Sequence, residues 1–296
     1  MMVLAGSNLQ VTTLDAGTLR LDGGAMFGVV PKPLWSRRTS SDELNRIPLA
    51  MRCLLVQTSD TTVLVDTGLG NKESQEFHSL YGVENTGKPT KLEDSLRQAG
   101  VEPEEVDVVL NTHLHFDHAG GNTRKDPDGR IVPAFPNARY VIRRGEWRYA
   151  QSDNPRVRAS YFPANFSPLV DAGRVDFLDE DTEVVPGVWA HRAAGHTPHH
   201  QVVRIELGGE TLLYMADLVP TAAHMPLPWI MGYDVEPLVT LENKREWLGR
   251  AAAEGWLLGF EHDPHIAWGR AGVSEAGDGC VLLDAVRDDG LPQLRN

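Results

Sequence analysis

"VDVVLNTHLHFDHAGG", residues 106–121, carries an apolar run straight into three histidines and an aspartate, His113, His115, Asp117 and His118. The run is short and apolar and reads as a β-strand, which puts the cluster on a loop at the strand's C-terminal end. In an extended loop side chains alternate, so His113 and His115 point the same way, as two ligands of one ion must. Asp117 and His118, past the turn of the chain, address a neighbouring position. Two adjacent metal ions are therefore expected, and four residues cannot complete both shells.

The remaining ligands should be His or Asp at other strand ends. His196 in "AAGHTPHH", Asp217 in "LLYMADL" and His262 in "LLGFEHD" each stand where an apolar run stops and the chain turns. One such residue alone is usually a turn former. Three together, all of ligand type, extend the set. Only Cys53 and Cys280 are present, in no CxxC pair, so any metal must rely on imidazole and carboxylate. Such a donor set suits Zn²⁺ and also accepts iron, manganese or cobalt.

Composition narrows the function classes. A 296-residue chain with 41% hydrophobic and 23% charged residues is that of a water-soluble globular protein, read here as one domain over 1–296. No apolar stretch nears the roughly 18 residues of a membrane span, so no membrane association is expected. The opening "MMVLAGSNLQVTTLDAG" lacks a basic segment followed by a long apolar one, and a cytoplasmic location is expected. Against 28 Lys plus Arg stand 41 Asp plus Glu, and the net charge of −13 repels phosphate backbones and anionic membranes. A small-molecule substrate is expected, and no nucleic acid. Aromatic segments would suit a homodimer.

Along the chain, "MRCLLVQTSDTTVLVDTGLG" (51–70) reads as a hairpin ending at Asp66 before a glycine loop. "KLEDSLRQAG" gives an amphipathic helix. A short strand around "ARYVIRRGEW" and an irregular "YFPANFSPL" follow, like an insertion near a pocket. Short strands resume with "VVPGVWAHRAAGHT" and "HQVVRIELGGETLLYMADLVP", then a helical "LVTLENKREWLGRAAAEG" and a final strand "WLLGFEHD". Strands in both halves with helices between them predict two sheets covered by helices.

Five segments in order, "VLVDTG", "THLHFDH", "AGHT", "MADL" and "FEHD", resemble the motifs of the metallo-β-lactamase-fold hydrolase superfamily. The resemblance implies an α/β fold, an αββα sandwich of two mixed β-sheets flanked by helices, with the site at one edge. It implies His113, His115 and His196 on one metal, Asp117, His118 and His262 on the other, and Asp217 bridging them. Asp66 is then expected to accept the other N–H of a ligand imidazole. Two divalent ions about 3.5–4 Å apart share a water, lower its pKa and hold it as hydroxide for hydrolysis. Asp117 and Asp217 are the expected catalytic carboxylates, Asp117 accepting or delivering a proton.

Within the superfamily the chain is similar to the branch of N-acyl-homoserine lactonases and methyl-parathion-hydrolase-like enzymes. True β-lactamases resemble it less because they lack the bridging aspartate. "GGAMFGVVPKPLW" (23–35) and "DLVPTAAHMPLPWIMGYD" (217–234) look like that branch's lipophilic pocket elements. Met26, Phe27, Trp35 and Trp229, with Met225 and Met231, are expected to grip an acyl chain or aryl ester. The resemblance departs at Pro220, where the lactonases carry a tyrosine that holds the substrate carbonyl; His224 is expected to substitute. It departs again at "GHTPHH", where His199 replaces a glycine. Opening of N-acyl-homoserine lactones is the leading expectation, with organophosphate or aryl-ester hydrolysis the alternative.

Overall fold

The computed structural model describes residues 1–6, 8–85, 87–274 and 279–287, so the outer bound of the expected domain, residue 296, lies outside the described residues. Its strands are buried on both faces, which decides the architecture. Along Thr62–Val65, Val63 and Val65 pack on one side and Leu64 on the other, all without exposed surface. Val108–Leu110 repeats the pattern, with Val108 and Leu110 facing opposite to Val109. Strands with two buried faces read as unbroken apolar runs, as they do in the sequence.

Val63, Val65, Val108, Leu110 and Val141 meet Val188, Val203, Ile205, Leu212 and Tyr214 of a second sheet, forming the layer between the sheets. Leu64, Val109 and Tyr140 turn outwards under Leu92 and Leu96 of the helix Lys91–Gln98. On the far side, Val202, Leu213, Met215 and Leu258 are covered by Trp247, Leu248 and Ala251 of the helix Pro237–Glu254. The layers are helix, sheet, sheet, helix. Each fully buried Val or Leu contributes roughly 1.5–3 kcal/mol, so the three apolar interfaces between these four layers are the main source of stability.

In spatial order the first sheet is Val3–Ala5, Leu9–Asp22, Arg46–Thr58, Thr62–Val65, Val108–Leu110, Arg139–Arg143 and Val175–Leu178. The second is Thr182–Val185, Val188–Arg192, Gln201–Glu206, Thr211–Tyr214, Leu257–Gly259, Ile266–Val273 and Cys280–Arg287. Both are mixed. Thr62–Val65 and Val108–Leu110 run parallel with Val65 beside Leu110, so Asp66 and the histidine loop leave the sheet together. Thr211–Tyr214 and Leu257–Gly259 run parallel with Tyr214 beside Gly259, so Asp217 and His262 leave the second sheet together. The Ala50 N–H donates to the His262 carbonyl and the Gln201 N–H to that of Thr112, closing the two sheets at this edge.

Two elements differ from the sequence expectation, and a third, the strand Leu9–Asp22, is not anticipated by it. "WLLGFEHD" is not the final strand, because Ile266–Val273 and Cys280–Arg287 continue the sheet beyond it. The long strand Leu9–Asp22 carries a register shift between Asp15 and Thr18, which breaks its alternation. "RGEW" belongs to the helix Arg144–Ala150 because the Glu146 side chain is drawn inwards. The hairpin of Arg46–Thr58 with Thr62–Val65 and the helix Lys91–Gln98 lie where expected, the helix held by a Thr90–Glu93 capping box. Among the described residues no helix is long and apolar enough to cross a membrane.

Candidate metal centre

Seven side chains from four loops converge at the sheet edge. His113, His115, His196 and Asp217 form one group and Asp117, His118 and His262 an adjoining one, all buried. Close approach of the loops depends on glycine. A Cβ on Gly120 would overlap the Leu69 carbonyl and one on Gly121 the Thr67 carbonyl, so "AGG" lets the histidine loop lie on the "DTGLG" loop. Asp66 and Ala216 hold positive φ angles of 55° and 43°. Left-handed backbone at such residues costs about 1–3 kcal/mol, and here it turns the chain directly before the site.

Asp217 lies at the centre. Its Oδ2 is 2.9 Å from His196 Nε2, 3.5 Å from His118 Nε2 and 3.8 Å from His113 Nε2, and its Oδ1 is 3.1 Å from His262 Nε2. The outer nitrogens fix the tautomers. His262 Nδ1 donates to the Ala50 carbonyl at 2.7 Å, His196 Nδ1 to Asp234 at 2.9 Å and His118 Nδ1 to Asp66 at 3.2 Å. His113 Nδ1 donates to Thr112 Oγ1, which donates to Asp66 at 2.6 Å. All four rings thus present Nε2 inwards.

Those inward lone pairs lack proper partners. His196 Nε2 faces His115 Nδ1 at 3.0 Å, and His262 Nε2 faces His118 Nε2 at 3.1 Å. His113 Nε2 and Asp217 Oδ1 are buried without a hydrogen-bond partner among the described residues. Bare nitrogens facing one another around a buried carboxylate require a proton or a metal cation between them. The donor set, five imidazoles and two carboxylates in two adjoining groups, fits two divalent cations.

The proton alternative shows in the charges around each ring. Burial lowers the His196 pKa, but Asp217 and then Asp234 outweigh it and raise it to about 10. Burial likewise opposes His262, which Asp217 lifts to about 9, and His118, which Glu261, Asp217 and Asp117 hold well above the ordinary value. Burial and the neighbouring imidazoles keep His113 and His115 neutral. Cation binding must displace the protons of the raised group. Zinc added to the metal-free chain at neutral pH is expected to release protons, and apparent affinity to rise with pH towards about 9–10. Calorimetry in buffers of different ionisation enthalpy measures the release; no release would contradict this account.

Above the cluster opens a cavity of about 220 Å³ whose walls include Leu21, Met26, Leu49, Phe116, Val157 and Met231. Its floor is His115, Asp117, His196, Asp217 and His262, and Tyr81, Tyr233, Arg156 and Ser160 complete it. The arrangement sets an apolar slot over a dense His/Asp cluster. The sequence pattern of the metallo-beta-lactamase superfamily matches residues 48–252. The chain belongs to that superfamily.

Relatives within the metallo-beta-lactamase superfamily include an N-acyl homoserine lactonase of a Bacillus species, 32% identical over 167 residues. The match covers 54% of this chain and 60% of that protein, so the chain spans about 60% of the length of this relative. A solved structure of a probable metal-dependent hydrolase from Staphylococcus aureus superposes with a TM-score of 0.85 at 30% identity, covering 96% of this chain and all of that one. AidC, a dizinc quorum-quenching lactonase with the product N-hexanoyl-L-homoserine, has a TM-score of 0.75 at 21% identity. That match covers 100% of this chain and 98% of AidC, and at this identity it speaks for the fold.

Of the residues expected to grip substrate, Met26 and Met231 reach the cavity. Phe27, Trp35, His224 and Trp229 do not line it, which corrects the sequence expectation. They form one aromatic stack behind the wall, with Phe27 over His224 at 4.5 Å, over Trp35 at 5.2 Å and edge-on to Trp229 at 5.7 Å. His224 is spent on this packing, its nitrogens engaged by Thr221 Oγ1 and the Met26 carbonyl, and burial lowers its pKa to about 3. It offers nothing to a substrate oxygen. The Lys244 ammonium secures the same segment through the carbonyls of His224, Pro226 and Trp229.

Two supporting residues, Asp234 and Glu261, carry no signal in the sequence, whereas Asp66 is expected from it. Asp234, in "GYDVEP" at the end of the 217–234 segment, holds His196. Glu261 places Oε2 3.0 Å from His118 Nδ1, off the line of that N–H, so Asp66 is the acceptor. His200 donates from Nδ1 to the Ala193 carbonyl and accepts the Asp217 N–H at Nε2, which makes it a support for Asp217. His199 fits because the facing residue is Gly145, where a Cβ would strike its ring. Such outer partners typically matter 10–100-fold in metal affinity. Asp234→Ala is expected to weaken zinc binding by about that factor, measured by competition with a chromophoric chelator. Unchanged affinity would mean that His196 needs no orienting partner.

Proposed function

We propose that this chain is a dinuclear metal-dependent hydrolase that opens lactone rings, with N-acyl-homoserine lactones as the leading substrates. The observation carrying this reading is the seven-residue His/Asp cluster on the floor of an apolar cavity. His113, His115, His196 and Asp217 would hold one cation, and Asp117, His118 and His262 the other, with Asp217 between the groups. When bound, the metal pair supplies Lewis acidity and an activated water, with Zn²⁺ the best match to the donors.

The protein's own residues do the rest. Leu21, Met26, Leu49 and Met231 give an acyl chain a dry wall and exclude bulk water from the reacting carbonyl. Asp66, Asp234 and the Ala50 carbonyl hold the imidazoles in one orientation. Asp117 lines the cavity and can take the proton from the attacking water and return it to the departing ring oxygen. Water adds to the carbonyl carbon, the ring C–O bond breaks and the released alkoxide is protonated.

Metal analysis of the purified chain with a chain-length series of N-acyl-homoserine lactones tests this. Two metals per chain and lactone opening are expected. Metal-replete protein that opens none of the series would refute it. Hydrolysis of phosphotriesters or aryl esters by the same centre is the second reading, motivated by Pro220 standing where the lactonases carry tyrosine. Both panels run on one preparation separate the two.

A further inference from the structure

Three tyrosines surround the cluster, and they differ in what their hydroxyls do. Tyr161 stacks against His115 at 4.7 Å and spends its hydroxyl on Glu146 at 2.8 Å. Tyr81 and Tyr233 line the cavity itself, and neither hydroxyl has a hydrogen-bond partner among the described residues. The ring of Tyr81 belongs to an aromatic cluster with Phe77 at 4.6 Å and Phe116 at 5.6 Å, at the end of the helix Gln75–Tyr81.

Tyr233 is held differently. On its N-terminal side the Gly232 N–H donates to the Ala25 carbonyl at 2.8 Å, and the Arg156 guanidinium donates to the Gly232 carbonyl at 2.6 Å. On its C-terminal side Asp234 accepts from His196 Nδ1, the Val235 N–H donates to the His196 carbonyl and the Glu236 N–H to that of Gly195. The backbone carrying this phenol is thus fastened to the same loop that carries a candidate metal ligand. Burial, with Tyr81, Asp22 and Asp117 nearby, pushes its pKa up to about 12, so at neutral pH it is a neutral donor.

We propose that the Tyr233 hydroxyl is a catalytic residue that donates a hydrogen bond to the lactone carbonyl oxygen of the substrate beside the His/Asp cluster. The inference rests on the lactone-opening reading above. Addition of water to the carbonyl carbon moves an electron pair onto that oxygen, and a fixed donor gains most when the charge has formed. Tyr233 keeps its proton throughout; the water's proton goes to the ring oxygen as the C–O bond breaks. With His224 buried in the aromatic stack, Tyr233 is a phenol donor of the cavity whose flanking backbone is anchored on both sides.

The test compares Tyr233→Phe, Tyr81→Phe and wild type, all zinc-loaded, on the lactone series, with metal content and melting temperature as controls. Tyr233→Phe is expected to lower kcat about 100-fold, with KM within about threefold and both controls unchanged. Binding of N-hexanoyl-homoserine, followed by calorimetry, should weaken about tenfold in the same variant, since one charge-assisted hydrogen bond is lost. Tyr81→Phe, which removes the other unpaired phenol of the cavity, should lower kcat by far less than Tyr233→Phe. Wild-type kcat in Tyr233→Phe, or the loss falling on Tyr81→Phe, overturns the inference and leaves the lactonase reading standing. Wild-type protein that opens no lactone and binds no product removes both.

Discussion

Replacing Asp217 by Asn is expected to abolish hydrolysis while the sandwich stays folded. Asp217 is the carboxylate with nitrogens of His196, His262, His118 and His113 at 2.9, 3.1, 3.5 and 3.8 Å. Asparagine keeps the volume and removes the charge that two adjoining cations would share. Since altering an outer partner alone costs 10–100-fold, loss of this residue should leave turnover below about one per cent of wild type, with less than two metals per chain. His113→Ala should behave alike, because its Nε2 has no other role that the described structure reveals. The fold should persist, as both side chains lie at the sheet edge, outside the three apolar interfaces. Circular dichroism and elemental analysis of the variants provide the check. Wild-type turnover in either variant, or retention of two metals in Asp217→Asn, would refute the assignment.

What made this site legible was where its residues stand in the chain. His113, Asp217 and His262 each follow a strand that is buried on both faces, so each apolar run announces its own end and the ligand type follows within a few residues. Parallel pairing then delivers those ends to one edge. No such local rule marks Asp234, Glu261 or Glu146. Their roles exist only once a remote loop has docked, and in the sequence each is an ordinary acid near a turn.

The aromatic stack shows the converse. "GGAMFGVVPKPLW" announces a lipophilic element, yet nothing local says which side of it faces the cavity. Gly28 decides this: at φ 55° it brings the segment against the Ile230 carbonyl, where a Cβ would not fit. Phe27 and Trp35 consequently turn into the core and Met26 alone of that segment reaches the slot. Tyr81, Arg156 and Ser160 also line the cavity, from stretches whose sequence carries no apolar periodicity pointing at a pocket, whereas Met231 and Tyr233 come from the 217–234 segment that does announce one.

Glu146→Ala is expected to be the most damaging substitution outside the cluster. Its Oε1 accepts from the Leu114 N–H at 3.1 Å and the Tyr161 hydroxyl at 2.8 Å, and its Oε2 from the Thr197 hydroxyl at 2.7 Å. Leu114 lies between His113 and His115, and Thr197 follows His196, so one carboxylate joins two of the three loops that contribute to the first group of the cluster. Burial raises its pKa, and the bonds from Thr197, Tyr161 and Leu114 counter that, so the group is stable only with all three donors in place. Truncation leaves those donors buried and unpaired at about 1–3 kcal/mol each, a destabilisation of roughly 4 kcal/mol after partial relaxation. Glu146→Gln keeps the carbonyl for Leu114 and Tyr161 and lets Thr197 accept from the new amide, at a cost of about 1 kcal/mol. Urea unfolding of both variants, with zinc affinity measured in parallel, separates the two effects. Equal destabilisation by Ala and Gln would mean that the charge governs; a near-neutral Ala variant would mean that water replaces the carboxylate and the loops do not depend on it.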